Sequence, residues 1–274
     1  MASHFQDELL SMASEAALTA SDVLCEMQAS LESLHVSTKE NNREVVSSAD
    51  LAAESEVLRV LRRGPKASFI TEETSPTDLN TDELCWIIDP LDGSSAYLHG
   101  LDTFSVSIAA WQRRRPLVGV IALPTERTVW RAAAGQGALG PSGPLQVSTR
   151  HRKEAIVSVS ASVVRSLADG RARWDGLRDA LEHAQGIRVA GSCAYDLVLM
   201  AQGKIDAFLG ARQQLWDYAA GLLLVREAGG KVWTADTGSG RSDVLTLGAN
   251  VDLLAGAASK MYEWTDVPDR SDLV

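Results

Sequence analysis

Cysteine, positive charge and long apolar runs are all scarce in this sequence, and each scarcity excludes a class of protein. The three cysteines, Cys25, Cys85 and Cys193, are odd in number, far apart and without CxxC spacing. Neither a disulfide framework nor a zinc knuckle fits them, and reduced thiols in a cytoplasmic protein are expected. No stretch approaches the ~18 uninterrupted apolar residues of a membrane span. The opening MASHFQDELLSMASEAAL has acids but no basic region followed by an apolar run, so it does not read as a secretory signal. Lysine and arginine number 26 against 36 acids, a net charge of −10. A nucleic-acid surface needs a basic patch to neutralise phosphates, so neither a nucleic-acid polymer nor a membrane is expected as partner. The one dense basic run, Arg113-Arg114-Arg115, precedes Pro116 between two apolar stretches and reads as a solvated hairpin tip, with attraction of an anionic ligand as the other reading. The five histidines show no HExxH-type spacing, and His99 reads as a loop residue.

What the chain does contain is the composition of an ordinary globular protein, 45% hydrophobic and 23% charged over 274 residues. That length buries a substantial core but is short for two independent enzymes. Apolar residues recur at helical spacing from about 6 to 34 (Leu9, Leu10, Met12, Ala16, Ala17, Val23, Leu24, Met27). A second helix should follow the SSAD stretch with Leu51, Val57, Leu58 and Leu61 inward, ended by Gly64 and Pro65. Strand character then takes over in ASFITEE, LCWIIDP, TFSVSIAAW, PLVGVIAL and TVWRAA.

GQGALGPSGPLQVS is a turn-rich hairpin or loop and the expected boundary between halves, 1–148 and 149–274. The second half reads as a strand at AIVSVSAS, a helix through RARWDGLRDALEHA, a strand at IRVAGS and a helix at AYDLVLMAQG. A helix in QLWDYAAGLLLVRE, closed by Gly229-Gly230, late strands at VWTAD and LTLGAN, and a last helix in VDLLAGAASKMYEW follow. Helices and strands through both halves predict a layered α/β fold.

The segment WIIDPLDGSS carries the most chemistry. A buried strand, Cys85-Trp86-Ile87-Ile88, runs into Asp89, and Pro90 should stop pairing and fix a bend because it lacks an N–H. Asp92 follows three residues on, so both carboxylates and the Leu91 carbonyl can converge on one point. Gly93 permits a tight backbone, and Ser94-Ser95 can open a helix whose N–H groups face the same spot. Oxygen donors of this kind suit a hard divalent cation, and Mg²⁺ keeps several waters beside one or two carboxylates. Alone, DPLDGSS fits an Asx-turn with Asp92 or Ser94 as a helix cap equally well. Likewise, Glu72-Glu73 at the end of Ser68-Phe69-Ile70-Thr71 fits a solvated strand exit, and Asp217 after Trp216 fits a helix-dipole partner.

Together, a strand ending in Glu-Glu, then Asp-Pro-x-Asp-Gly-Ser, then Trp-Asp about 120 residues later resemble the inositol monophosphatase family of metal-dependent, lithium-sensitive phosphatases. The SSAD stretch, the AAAGQGALGPSGPLQVS hairpin and Gly191-Ser192 extend the resemblance over nearly the whole chain. It implies an αβαβα arrangement, a dimer, and hydrolysis of a small-molecule phosphate monoester with two to three Mg²⁺ ions, Mn²⁺ as a substitute and Li⁺ as an inhibitor. Glu72, Asp89 and the Leu91 carbonyl would hold the first ion, Asp89, Asp92 and Asp217 the second, and Glu73 would help with a weaker third. The nucleophile would be a water activated by the first ion, its proton passing to Glu72 or to Ser94, with Asp50 bonded to the Ser94 hydroxyl. Gly93, Ser94 and Ser95 would hold phosphate oxygens, with Ser192 and Cys193 on the substrate side.

The pattern departs where substrate would be chosen. Inositol-specific members carry a glutamate seven residues before the Trp-Asp acid; here Gly210 stands there, and Arg212 nearby offers to meet a second anion. Ser94 replaces the usual Thr, and Ala96 a common asparagine. Lys39, eleven residues before Asp50, matches a lysine on the family's mobile loop. These departures point to a larger sugar, amino-alcohol or nucleoside phosphate. A phosphatase of adenosine 3′,5′-bisphosphate type, or a catalytically silent phosphate-binding regulator, are the alternatives.

Overall fold

The computed structural model describes residues 2–31, 36–38, 45–74, 83–168, 174–236 and 242–248. Lys39 and the helix expected in VDLLAGAASKMYEW lie outside them. The chain opens with α1 (Ala2–Gln28), shorter at its end than the periodicity predicts, and a two-stranded ribbon of β1 (Val36–Thr38) and β2 (Val45–Ser47). Helix α2 (Ser48–Leu61) starts in a capping box: Ser47 is the N-cap, and its N–H and hydroxyl both donate to Asp50 Oδ2, at 2.8 and 2.6 Å. Its inner face is Ala49, Ala53, Val57, Val60 and Leu61. Leu51 is 50% exposed, a correction to the expected face, because the i, i+4 series that packs starts from Ala49 and passes Leu51 by.

Seven strands follow in strict neighbour order: β3 (Ser68–Thr71), β4 (Cys85–Asp92), β5 (Ser105–Gln112), β6 (Arg115–Leu123), β7 (Thr128–Ala133), β8 (Gly137–Gly140) and β9 (Gly143–Pro144). Between β4 and β5 lies the short helix α3 (Ser94–Leu98). Only β3 and β4 run parallel; the rest are antiparallel. The arginine run turns the β5–β6 hairpin, with Arg113 and Arg114 at positive φ.

A second sheet has the order β11-β10-β12-β14-β13. It comprises β10 (Ile156–Val159), β11 (Gly186–Arg188), β12 (Ala207–Gln213), β13 (Lys231–Asp236) and β14 (Ser242–Gly248). Its helices are α4 (Ala161–Ala168), α5 (Trp174–His183), α6 (Cys193–Ala201) and α7 (Leu215–Glu227).

Burial assigns the layers. Along β4, Trp86 and Ile88 pack with α1 and α2, while Cys85 and Ile87 pack with α6 and α7. Phe208 of β12 joins the same inner cluster from the other side, whereas Ala207 and Leu209 pack with Val163 and Leu167 of α4. Period-two alternation with both faces apolar marks a sheet covered on both sides. The result is helix, sheet, helix, sheet, helix, with α6 and α7 as the shared middle layer.

Candidate functional site

The pocket lies where β4 leaves the first sheet and the amino ends of α6 and α7 meet it. Strand β4 does not stop at Pro90. Its ladder pairs Asp89 with Ser107 and Asp92 with Ser105, slipping register between them. This corrects the expectation that Pro90 ends pairing: the missing N–H makes a bulge instead, and the ladder resumes. The bulge keeps both acids on one buried strand, and the Leu91 N–H donates to Asp89 Oδ1 at 3.1 Å, an Asx-type turn. Gly93 then takes φ +94° as the N-cap of α3; a Cβ there would sit 2.9 Å from the Thr103 carbonyl. Only glycine makes that turn without strain.

No side chain caps α3, so Asp92 and Ser94 are engaged elsewhere. Asp92 Oδ2 accepts from the Ala194 N–H and the Ser192 hydroxyl, each at 2.6 Å, and from the Ser105 hydroxyl at 3.3 Å. It therefore ties the first sheet to the start of α6, a hundred residues downstream. Ser192 also caps α6, accepting from the Tyr195 N–H at 3.2 Å. Ser94 Oγ lies 3.0 Å from Asp50 Oδ1 and 3.1 Å from the Leu91 carbonyl, both acceptors for its proton. Asp50 thus caps α2 with one oxygen and holds Ser94 with the other. Asp217 Oδ2 accepts from the Gln214 N–H at 2.8 Å, which closes the capping box of α7, and the Ser107 hydroxyl donates to the Trp216 carbonyl at 3.3 Å.

Glu72, Asp89, Asp92 and Asp217 all line this pocket, as do Leu91, Gly93 and Ser94 from the first half and Ser192 and Cys193 from the second. Glu73, Ser95, Gly210 and Arg212 are not among its lining. The Glu73 N–H donates to Glu54 Oε2 at 3.3 Å, Ser95 is exposed, Gly210 is buried within β12, and Arg212 is exposed at φ +53°. Sequence reasoning missed Ser160, Ser162, Arg165, Asp196 and Gln213, which also line it. The alternation in AIVSVSAS reads as one strand, but β10 ends at Val159 and α4 begins at Ala161. Ser160 caps the turn, with its hydroxyl accepting from the Val163 N–H at 3.4 Å; a Ser followed by ASVVRSL was the available signal.

The electrostatics favour a bound cation. Asp89 is 1% exposed. Its carboxyl is held well above the usual range, first by burial and then by Glu72, Asp92 and Asp217, against the Leu91 N–H. Burial also raises Asp92, opposed by the bonds from Ser192, Ala194 and Cys193. Burial and the surrounding acids keep the Cys193 thiol neutral, well above its ordinary range. Buried carboxylates that repel one another become stable when a hard cation sits among them. Among the described residues no three acidic, histidine or cysteine side chains converge closely enough to hold a metal ion by themselves. Leu91 lines the same pocket as the acids, and magnesium accepts carbonyl and water oxygens beside one or two carboxylates.

Comparison with known proteins places the chain. It is 32% identical to the Nus factor SuhB of Haemophilus influenzae over 84% of this chain and 86% of that protein. It is equally 32% identical to an inositol-1-monophosphatase of Mesorhizobium japonicum, over 86% and 88% of the two chains. The crystal structure of extragenic suppressor protein suhB from Bartonella henselae superposes with a TM-score of 0.83 at 30% identity, covering 92% of this chain and 98% of that one. The sequence model of the inositol monophosphatase family matches residues 6–266, and the chain belongs to that family.

Proposed function

We propose that this protein is a magnesium-dependent phosphomonoesterase that hydrolyses a small phosphorylated alcohol. The observation that carries the reading is the Ser94–Asp50 contact at 3.0 Å, set on the rim of a pocket lined by Glu72, Asp89, Asp92 and Asp217. A fixed hydroxyl beside clustered acids is what metal-assisted water attack on a phosphate needs. Family membership and the inositol-1-monophosphatase relative support the same reaction class.

Glu72, Asp89 and the Leu91 carbonyl would hold one ion, Asp89, Asp92 and Asp217 a second, and Glu73 would assist at an outer third. Bound magnesium would acidify water and offset charge on the phosphoryl group. The chain's own part is proton handling and positioning. Asp50 accepts from Ser94, which orients the hydroxyl oxygen toward a water; the water proton passes either to Glu72 or to Ser94 as the Ser94 proton moves on to Asp50. Backbone N–H groups at 93–95 hold phosphoryl oxygens. Water oxygen bonds to phosphorus as the ester P–O bond breaks, and the departing alkoxide takes a proton from a second water, which the proton held by the acids then makes good, to leave as the alcohol. The resemblance sets a ring-hydroxyl glutamate at position 210, and Gly210, buried in β12 outside the pocket lining, offers no carboxylate, which speaks against inositol phosphate as the preferred substrate.

The test is phosphate release from sugar, amino-alcohol and nucleotide monoesters, with and without chelator, for wild type and Asp92→Asn. Turnover should vanish with chelator. Asp92→Asn should retain its circular dichroism and lose nearly all activity, because an amide oxygen is a poorer ligand for a hard cation yet can still accept from α6. A second reading, a regulatory phosphate-binding protein, is favoured by the Nus factor name of a 32% identical relative. Absence of turnover across the panel with magnesium would leave that reading standing and sink the first.

A further inference from the structure

Five acids line the pocket, Glu72, Asp89, Asp92, Asp196 and Asp217, and among the described residues lining it Arg165 is the single base. Arg165 stands on α4, the outer layer of the second sheet, and lines the same pocket as the β4 acids. It is exposed, and among the described residues it makes no hydrogen bond or ion pair. Its surroundings on that side are built. Ser162, three residues earlier, shares its face of α4. The Gln213 amide, only 8% exposed, donates to Ser162 Oγ at 2.8 Å, and the Ser160 and Ser162 hydroxyls are 2.7 Å apart. A buried amide and two hydroxyls thus line the pocket together with a guanidinium that has no partner among the described residues.

We propose that Arg165, flanked by Ser162 and Gln213, is a subsite for a second anionic group carried by the alcohol half of the substrate. The inference rests on the phosphatase reading above and names a substrate class within it. With the reacting phosphate on the β4 side, the alcohol half points toward α4, where a guanidinium offers forked donors to a carboxylate or phosphate. Arg212, the base singled out by sequence, does not line the pocket. Gln213 is the polar residue that β12 brings to the pocket.

The experiment compares matched substrates that differ by one anion. O-phosphoethanolamine against O-phosphoserine adds a carboxylate; adenosine 3′-monophosphate against adenosine 3′,5′-bisphosphate adds a phosphate. Wild type should favour the more anionic member of at least one pair, and which pair identifies the anion. Arg165→Ala should lower the within-pair ratio of kcat/KM by roughly 10- to 100-fold, the worth of a charged hydrogen bond. Arg165→Lys should restore it in part, since it keeps the charge and loses the fork. Because Arg165 is exposed, both variants should fold. Equal loss on both members would make Arg165 a mere counter-charge to the acids, and no loss would remove it from recognition; either result overturns the proposal. If wild type turns over nothing with magnesium, the phosphatase reading fails by itself. The subsite is then judged by calorimetric binding of adenosine 3′,5′-bisphosphate against adenosine 3′-monophosphate, where Arg165→Ala must abolish the difference.

Discussion

Asp196 shows how a single residue's environment sets its chemistry. Burial pushes its carboxyl up to about 6, against the Ser158 hydroxyl, which donates to it at 2.6 Å, and Arg188, 3.5 Å away; Asp92 adds a smaller push upward. The folded protein therefore holds this proton more tightly than the unfolded chain, where an aspartate titrates near 3.9. Its contribution to stability is present at low pH and is lost as pH rises through about 6. Asp196→Asn cannot ionise, so wild type and variant should diverge between about pH 4 and 6, the variant gaining on the order of 2–3 kcal/mol relative to wild type by neutral pH. Urea unfolding at pH 4.5 and 7.5 reads this directly, and parallel pH curves for the two proteins would contradict it. At this same scale the resemblance paired Asp50 with Ser94, and the two are in hydrogen-bond contact. It was legible only through the family resemblance, since the two residues lie 44 positions apart and no local pattern joins them. Asp196 was not, since nothing in CAYDL reveals that its carboxylate is buried.

Elements meet through small residues, and one meeting carries the site. Strand β6 crosses α7 at Gly119, where an added Cβ would lie 2.6 Å from the Ala220 carbonyl oxygen. A backbone atom cannot swing aside as a flexible side chain can. Gly119→Ala should therefore displace α7 and lower stability by about 1–3 kcal/mol, and activity should fall with it because α7 bears Asp217. Denaturant midpoints and phosphate release measured together test this; an unshifted midpoint would show that β6 and α7 are not in close contact there. The helices and strands themselves were largely readable, since their apolar period follows from one face being buried. Two misreadings have physical causes. Leu51 is apolar yet lies off the packed face of α2, and the Ser–Val alternation hid the boundary between β10 and α4. In both, tertiary packing outweighed the local pattern.

For the whole molecule the relevant quantity is charge gathered in one place. A chain of net charge −10 brings Asp89, Asp92 and Asp217 together from two halves of its sequence, and burial makes their mutual repulsion matter. A cation that binds only the folded state stabilises it by mass action. Saturating magnesium should raise the midpoint of thermal unfolding by several degrees, about 2.7 kcal/mol at a hundredfold excess over Kd. EDTA should reverse the rise, and Asp92→Asn should lose most of it. A midpoint indifferent to both would remove the ion from the account.

The sequence by itself determined the acids, the glycine turn and the period of most elements, because these depend on residues within a few positions of one another, whereas the bulge at Pro90 appeared only with the paired strand. It also determined the family, through the order of three short motifs. Only the tertiary structure decided which carboxylate oxygens are spent on caps, that Asp92 anchors α6, and that Arg165 and Gln213 reach the pocket. Those facts join residues tens to more than a hundred positions apart, and no local pattern records the distance between two side chains until the sheets are stacked.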